Sequence, residues 1–79
     1  MPLRLDQLPL HRPSRIAAIE WAGLDPQAAR RLRELGFDDG VAIEALHRGA
    51  FKGPIACKVG RMIIALRRTQ AAAVMVEPV

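Results

Sequence analysis

Apolar positions follow two rhythms along this chain of 79 residues. From Pro26 to Leu35 they keep to one helical face: Ala28, Leu32 and Leu35 stand at i, i+4 and i+7 with Ala29 beside them, while Arg30, Arg33 and Glu34 point elsewhere. Asp25 and Pro26 suit the cap and first position of that helix, because an Asp carboxylate accepts from a free backbone N–H and proline has no N–H to leave unpaired. Gly36 supplies the left-handed residue that stops it.

Elsewhere the apolar runs are short, carry β-forming residues and end at glycine or proline. They predict strands over Arg15–Trp21, Val41–Arg48, Ile55–Val59, Met62–Leu66 and Ala73–Val76. In the second, Val41, Ile43 and Ala45 share a face with Glu44 opposite; in the third, Ile55, Cys57 and Val59 face inward and Lys58 outward. The first is too apolar for strict alternation, as suits a strand partly covered by the helix or by residues 1–14. That leader holds Pro2, Pro9 and Pro13 and is expected to be irregular, since proline cannot donate to a sheet ladder. It is expected to pack Leu3, Leu5, Leu8 and Leu10 onto the body.

Turns are expected at Asp38-Asp39-Gly40, Gly49–Pro54 and Gly60, with a short polar step over Arg67–Gln70. Trp21, ending the first strand, either caps the core or meets a partner. The fold class is therefore mainly β with one inserted α-helix. It is a small antiparallel β-barrel of about five strands in a single domain over residues 1–79, whose closure removes exposed edges.

Composition narrows what such a body can do. Hydrophobic residues make up 51% of the chain, with one Trp, two Phe and no Tyr, so aliphatic side chains must fill the core. A lone cysteine allows no internal disulfide. No apolar run nears the roughly 20 residues that span a bilayer. The N-terminus lacks the apolar segment of a signal peptide, so a cytoplasmic protein is expected. Ser14 is the only serine, and no glycine-containing turn has the lysine and hydroxyl residue of a phosphate loop. Binding is thus expected rather than catalysis, with no cofactor.

Charge points to where that binding would occur. Residues 1–40 carry six Lys/Arg and six Asp/Glu, whereas residues 41–79 carry six Lys/Arg against Glu44 and Glu77, so the whole net charge of +4 sits in the second half. Such an excess is either a solvated face or a surface for nucleic acid, an anionic membrane or an acidic protein. Phe51 and Lys52 stand at a hairpin tip between Gly49 and Gly53, where an aromatic either folds back over the barrel mouth or is offered to a partner. With Arg48, Arg61, Arg67 and Arg68 they form the candidate partner-binding set, the cations steering toward an acidic surface. For nucleic acid, only Phe51 is available to stack on bases. For a metal, His47 and Cys57, with His11 in the leader, are candidates without a carboxylate or second thiol at ligand spacing; Cys57 otherwise serves as a small buried apolar residue.

The succession Arg31-Leu32-Arg33-Glu34-Leu35-Gly36-Phe37, Gly40-Val41, Gly53-Pro54-Ile55 and Gly60-Arg61-Met62-Ile63-Ile64-Ala65-Leu66-Arg67-Arg68, with the ending Ala71 to Val76, resembles the FeoA family. These are small cytoplasmic components of bacterial ferrous-iron uptake, and the resemblance covers about residues 5–77. It implies an SH3-like β-barrel that acts by protein contact, assisting the large membrane ferrous-iron transporter FeoB, which carries a cytoplasmic GTP-binding domain. It implies no catalytic residues, and membrane contact only through the partner. The same barrel is similar to the C-terminal domain of iron-dependent repressors of the DtxR type, so a nucleic-acid-binding or metal-responsive role is the alternative. The Pro-rich, His-containing leader and Cys57 depart from many relatives and leave metal contact open. A homo-oligomer is open too, because the four leucines of the leader can pack within a chain or exchange between chains.

Overall fold

The computed structural model describes residues 3–79, so Met1 and Pro2 of the leader lie outside the described residues. In chain order it runs β1 (Leu3–Arg4), β2 (Ser14–Ile19), α1 (Pro26–Glu34), β3 (Ala42–Arg48), β4 (Ile55–Val59), β5 (Met62–Leu66), α2 (Arg68–Ala71) and β6 (Val74–Pro78). Single 3-10 turns occupy Leu5–Gln7 and Trp21–Gly23. All strand pairs are antiparallel and the spatial order is β1-β6-β2-β3-β4-β5.

Two expectations are corrected here. The sheet has six strands rather than about five, and it is open, with β1 and β5 as its edges. The extra strand comes from the leader, where Leu3 and Arg4 pair with Val76 and Met75 ahead of the first described proline. Closure would need a ladder between β1 and β5, and β1 turns into the Leu5–Gln7 helix turn after only two residues. Element boundaries move as well, β6 by two residues at its end, to Pro78. Strand β2 stops at Ile19, so Trp21 opens a 3-10 turn instead of ending a strand, and the polar step after β5 is the one-turn helix α2.

Helix α1 forms as its sequence dictates. The Asp25 carboxylate accepts from the Ala28 N–H at 2.8 Å. At the other end the Phe37 N–H reaches the Leu32 carbonyl at 3.0 Å and the Gly36 N–H reaches Arg33 at 3.1 Å, with Gly36 at φ +91°. This paired closure brings Phe37 down beside Leu32, and both are buried.

The core lies between one face of the sheet, α1 and the leader. Leu5, Leu8, Ile16, Leu32, Ile55, Leu66, Val74 and Val76 fill it. Leu5 and Leu8 come from the leader and are fully buried, each contributing about 2 kcal/mol of burial. Leu3 packs against the edge of the core, whereas Leu10 stays exposed.

Two β-bulges decide which residues face inward. One separates Ile16 from Ala18 opposite β6, so that Ile16 and Ile19, three residues apart, pair with the inward residues Val76 and Val74. This is why β2 lacks strict alternation. The other separates Ala45 from His47 opposite β4, leaving Leu46 as the extra residue. Beyond it the alternation of β3 is inverted: His47 pairs with Ala56 on the outer face, and Arg48 pairs with the buried Ile55.

Candidate functional site

Strands β3 and β4 project a hairpin tip whose geometry is set by Gly49–Pro54. The Gly49 N–H donates to the Pro54 carbonyl at 2.8 Å and the Gly53 N–H to the Ala50 carbonyl at 3.0 Å. Between Ala50 and Gly53, Phe51 and Lys52 have φ of +55° and +61°. An i to i+3 bond with two central left-handed residues is a type I′ turn, which ordinarily takes Asn and Gly. Here the glycines flank the turn, and Gly53 is held there by close approach: a Cβ on it would lie 3.0 Å from the Ala50 carbonyl oxygen. The left-handed conformation therefore falls on an aromatic and a lysine, at a cost of about 1–2 kcal/mol for each. Phe51 is fully exposed at the crest and does not fold over the sheet.

The four remaining basic residues of the candidate set stand in four different places. Arg67 follows β5 and lines a groove of about 370 Å³ with Arg31 and Gln27 of α1, Pro54 of the tip, Leu66 and Gln70. Pro54 thus joins the tip to the groove. Arg61 stands in the β4–β5 turn, at the far end of β5, about 20 Å from Arg67 at the usual rise per residue. Arg48 is turned toward the body by the bulge: its guanidinium donates from Nε to the Asp6 carbonyl at 3.2 Å and from Nη2 to the Leu8 carbonyl. It clamps the leader onto the sheet. Arg68 is half-buried, and its Nε has no hydrogen-bond partner among the described residues.

His47 and Cys57 do not meet. Directly paired residues share a face, so His47 lies with Ala56 on the outer side, while Cys57 pairs with Ala45 on the inner side and is fully buried. Burial pushes the Cys57 thiol up to about 11. His11 lies 3.9 Å from Glu44, and no cluster of three His, Cys, Asp or Glu side chains suited to a metal occurs among the described residues. Trp21 is half-buried against the core, as a core cap, with the Arg33 guanidinium 4.3 Å from its ring centroid.

Sequence patterning did not find Arg31 and Gln70 as groove residues. Arg31 sits on the polar side of α1, and only the packing of that helix beside Pro54 and β5 makes it part of a wall.

The chain matches a family model described as FeoA domain over residues 3–78. It is similar to iron(II) transport protein A from Clostridium thermocellum, with 31% identity and a TM-score of 0.84 over 98% of this chain and 46% of that one. It therefore spans less than half the length of that relative. It is also similar to FeoA of Stenotrophomonas maltophilia, solved with zinc and described as a prokaryotic SH3 domain protein, with 33% identity and a TM-score of 0.78 over 98% of this chain and 89% of that one. A manganese-dependent transcriptional repressor shares the fold, with a TM-score of 0.86 at 23% identity over 99% of this chain and 42% of that one. No protein with a curated description matches the chain by sequence.

Proposed function

This chain belongs to the FeoA domain family, and on that footing we propose that it is a cytoplasmic accessory module of ferrous-iron uptake that binds the GTP-binding part of an FeoB-type membrane transporter. No helix among the described residues is long and apolar enough to cross a membrane, so membrane contact in this reading runs through the transporter. The observation that carries it is Phe51. A fully exposed aromatic at the crest of a turn that costs stability is the kind of local strain that concentrates where a surface is used. Aromatic side chains are also the usual anchors of interfaces.

Lys52 and Arg67 add positive charge around that anchor and steer it toward an acidic surface. The protein supplies contact and orientation; any nucleotide is held by the partner. The test is affinity capture from detergent-solubilised membranes using tagged protein. The parent is expected to retain the transporter, and Phe51→Ala to lower recovery about tenfold, the effect of losing about 1.4 kcal/mol. Capture of no transporter, together with unchanged ferrous-iron uptake after deletion, would overturn the reading.

A further inference from the structure

Among the described residues, strand β5 is an edge with no strand paired on its outer side. Its sequence Met62-Ile63-Ile64-Ala65-Leu66 contains no charge, no proline and no bulge, the devices by which edge strands ordinarily block pairing. The two-residue turn Gly60-Arg61 joins it to β4 with Gly60 at φ +56°. A two-residue turn makes Val59 and Met62 the hydrogen-bonded closing pair, and the antiparallel alternation then makes Ile63 and Ala65 the non-bonded positions. Their N–H and C=O groups point away from β4, and neither residue makes a turn or loop bond among the described residues.

The side chains on the outer face have an equally definite order. Ile63 is 68% exposed and Ala65 is exposed; alternation carries on to Arg67 after them, and Arg61, also exposed, stands in the turn before them. Beyond Ala65 the edge opens into the groove walled by Arg31 and Arg67. The acids nearby are engaged: Asp25 caps α1, and Glu44 sits one strand further in, opposite Lys58 and near His11.

We propose that β5 takes up an extended segment of a partner protein as a seventh strand, and that this segment carries acidic, apolar, apolar and acidic residues at alternate positions. The apolar pair covers Ile63 and Ala65, and the acids meet Arg61 and Arg67. A second copy of this chain is the poorer occupant. Antiparallel pairing of two β5 strands about Ile64 sets Arg61 of each copy opposite Arg67 of the other, and like charges directly opposed weaken a sheet. The inference deepens the partner-binding reading by naming a second contact surface and the chemistry it selects.

The probe is an end-capped peptide Glu-Thr-Val-Thr-Val-Thr-Glu, titrated into the full chain while backbone amide exchange is followed by NMR. Exchange at Ile63 and Ala65 is expected to slow about tenfold or more at saturation, whereas the same peptide with Lys for Glu leaves it unchanged. Ala65→Pro removes an outward N–H that β4 does not use, so it is expected to keep the fold and abolish peptide binding. Ile63→Glu, at an exposed position, keeps the fold independently and is expected to weaken binding about tenfold. Equal binding by either folded variant, equal binding of the Lys peptide, or self-association through β5 that excludes the Glu peptide would overturn the proposal. Transporter capture separates the two readings. Undiminished capture by Ala65→Pro sinks the role of β5 and leaves the accessory function standing, while peptide binding without capture by the parent sinks the accessory function alone.

Discussion

The two hairpins that share β4 solve the same turn problem with opposite chemistry. At Gly60-Arg61 the left-handed position is a glycine, and the turn adds no strain. At Ala50–Gly53 the two left-handed positions are Phe51 and Lys52, although glycines stand close on either side. The backbone of the first turn is relaxed. The second gives up stability to hold an aromatic and a cation in the open, and that difference is what singles out the tip as the candidate contact surface.

The contrast can be broken most severely at Gly53. Gly53→Val places a branched Cβ against the Ala50 carbonyl and the Gly49 backbone, and is expected to cost about 3 kcal/mol, read as a drop in the denaturation midpoint. The reverse experiment gives the tip the residues its geometry favours. Phe51→Asn with Lys52→Gly is expected to stabilise the protein by about 2 kcal/mol while transporter capture falls. Gly60→Ala tests the quiet turn: it is expected to cost about 1 kcal/mol and to leave capture unchanged once the protein is folded.

The smallest effect concerns the strand the two hairpins share. The Cys57 thiol is raised from 9.0 to about 11 in the folded protein, so between these values the unfolded chain loses its proton while the folded one keeps it. The stability contribution is complete below pH 9 and declines as pH rises toward 11, and equilibrium unfolding across that window is expected to show it. Cys57→Ala removes this slope at a general loss of packing.

Much of the candidate site was legible because it depends on local punctuation. Glycines at 49 and 53 around an aromatic announce a tip, whatever the body beneath it does. Arg48 shows where such reading stops. Simple alternation from Ile43 and Ala45 turns it outward with the other cations, but the bulge at Leu46 sends it to the carbonyls of Asp6 and Leu8, 42 and 40 residues away in sequence. The same inversion parts His47 from Cys57.

By itself the sequence determined everything that one element's own backbone can enforce: the cap and stop of α1, the positions of β3, β4 and β5, and the turns between them. It also determined family membership, since these pieces recur in order. Only the tertiary structure decided that the leader adds a sixth strand, that the sheet remains open at β5, and that Arg31 and Arg67 form one wall. Those outcomes depend on how strands far apart in the chain come into register, and a single extra residue in a strand reverses the faces beyond it.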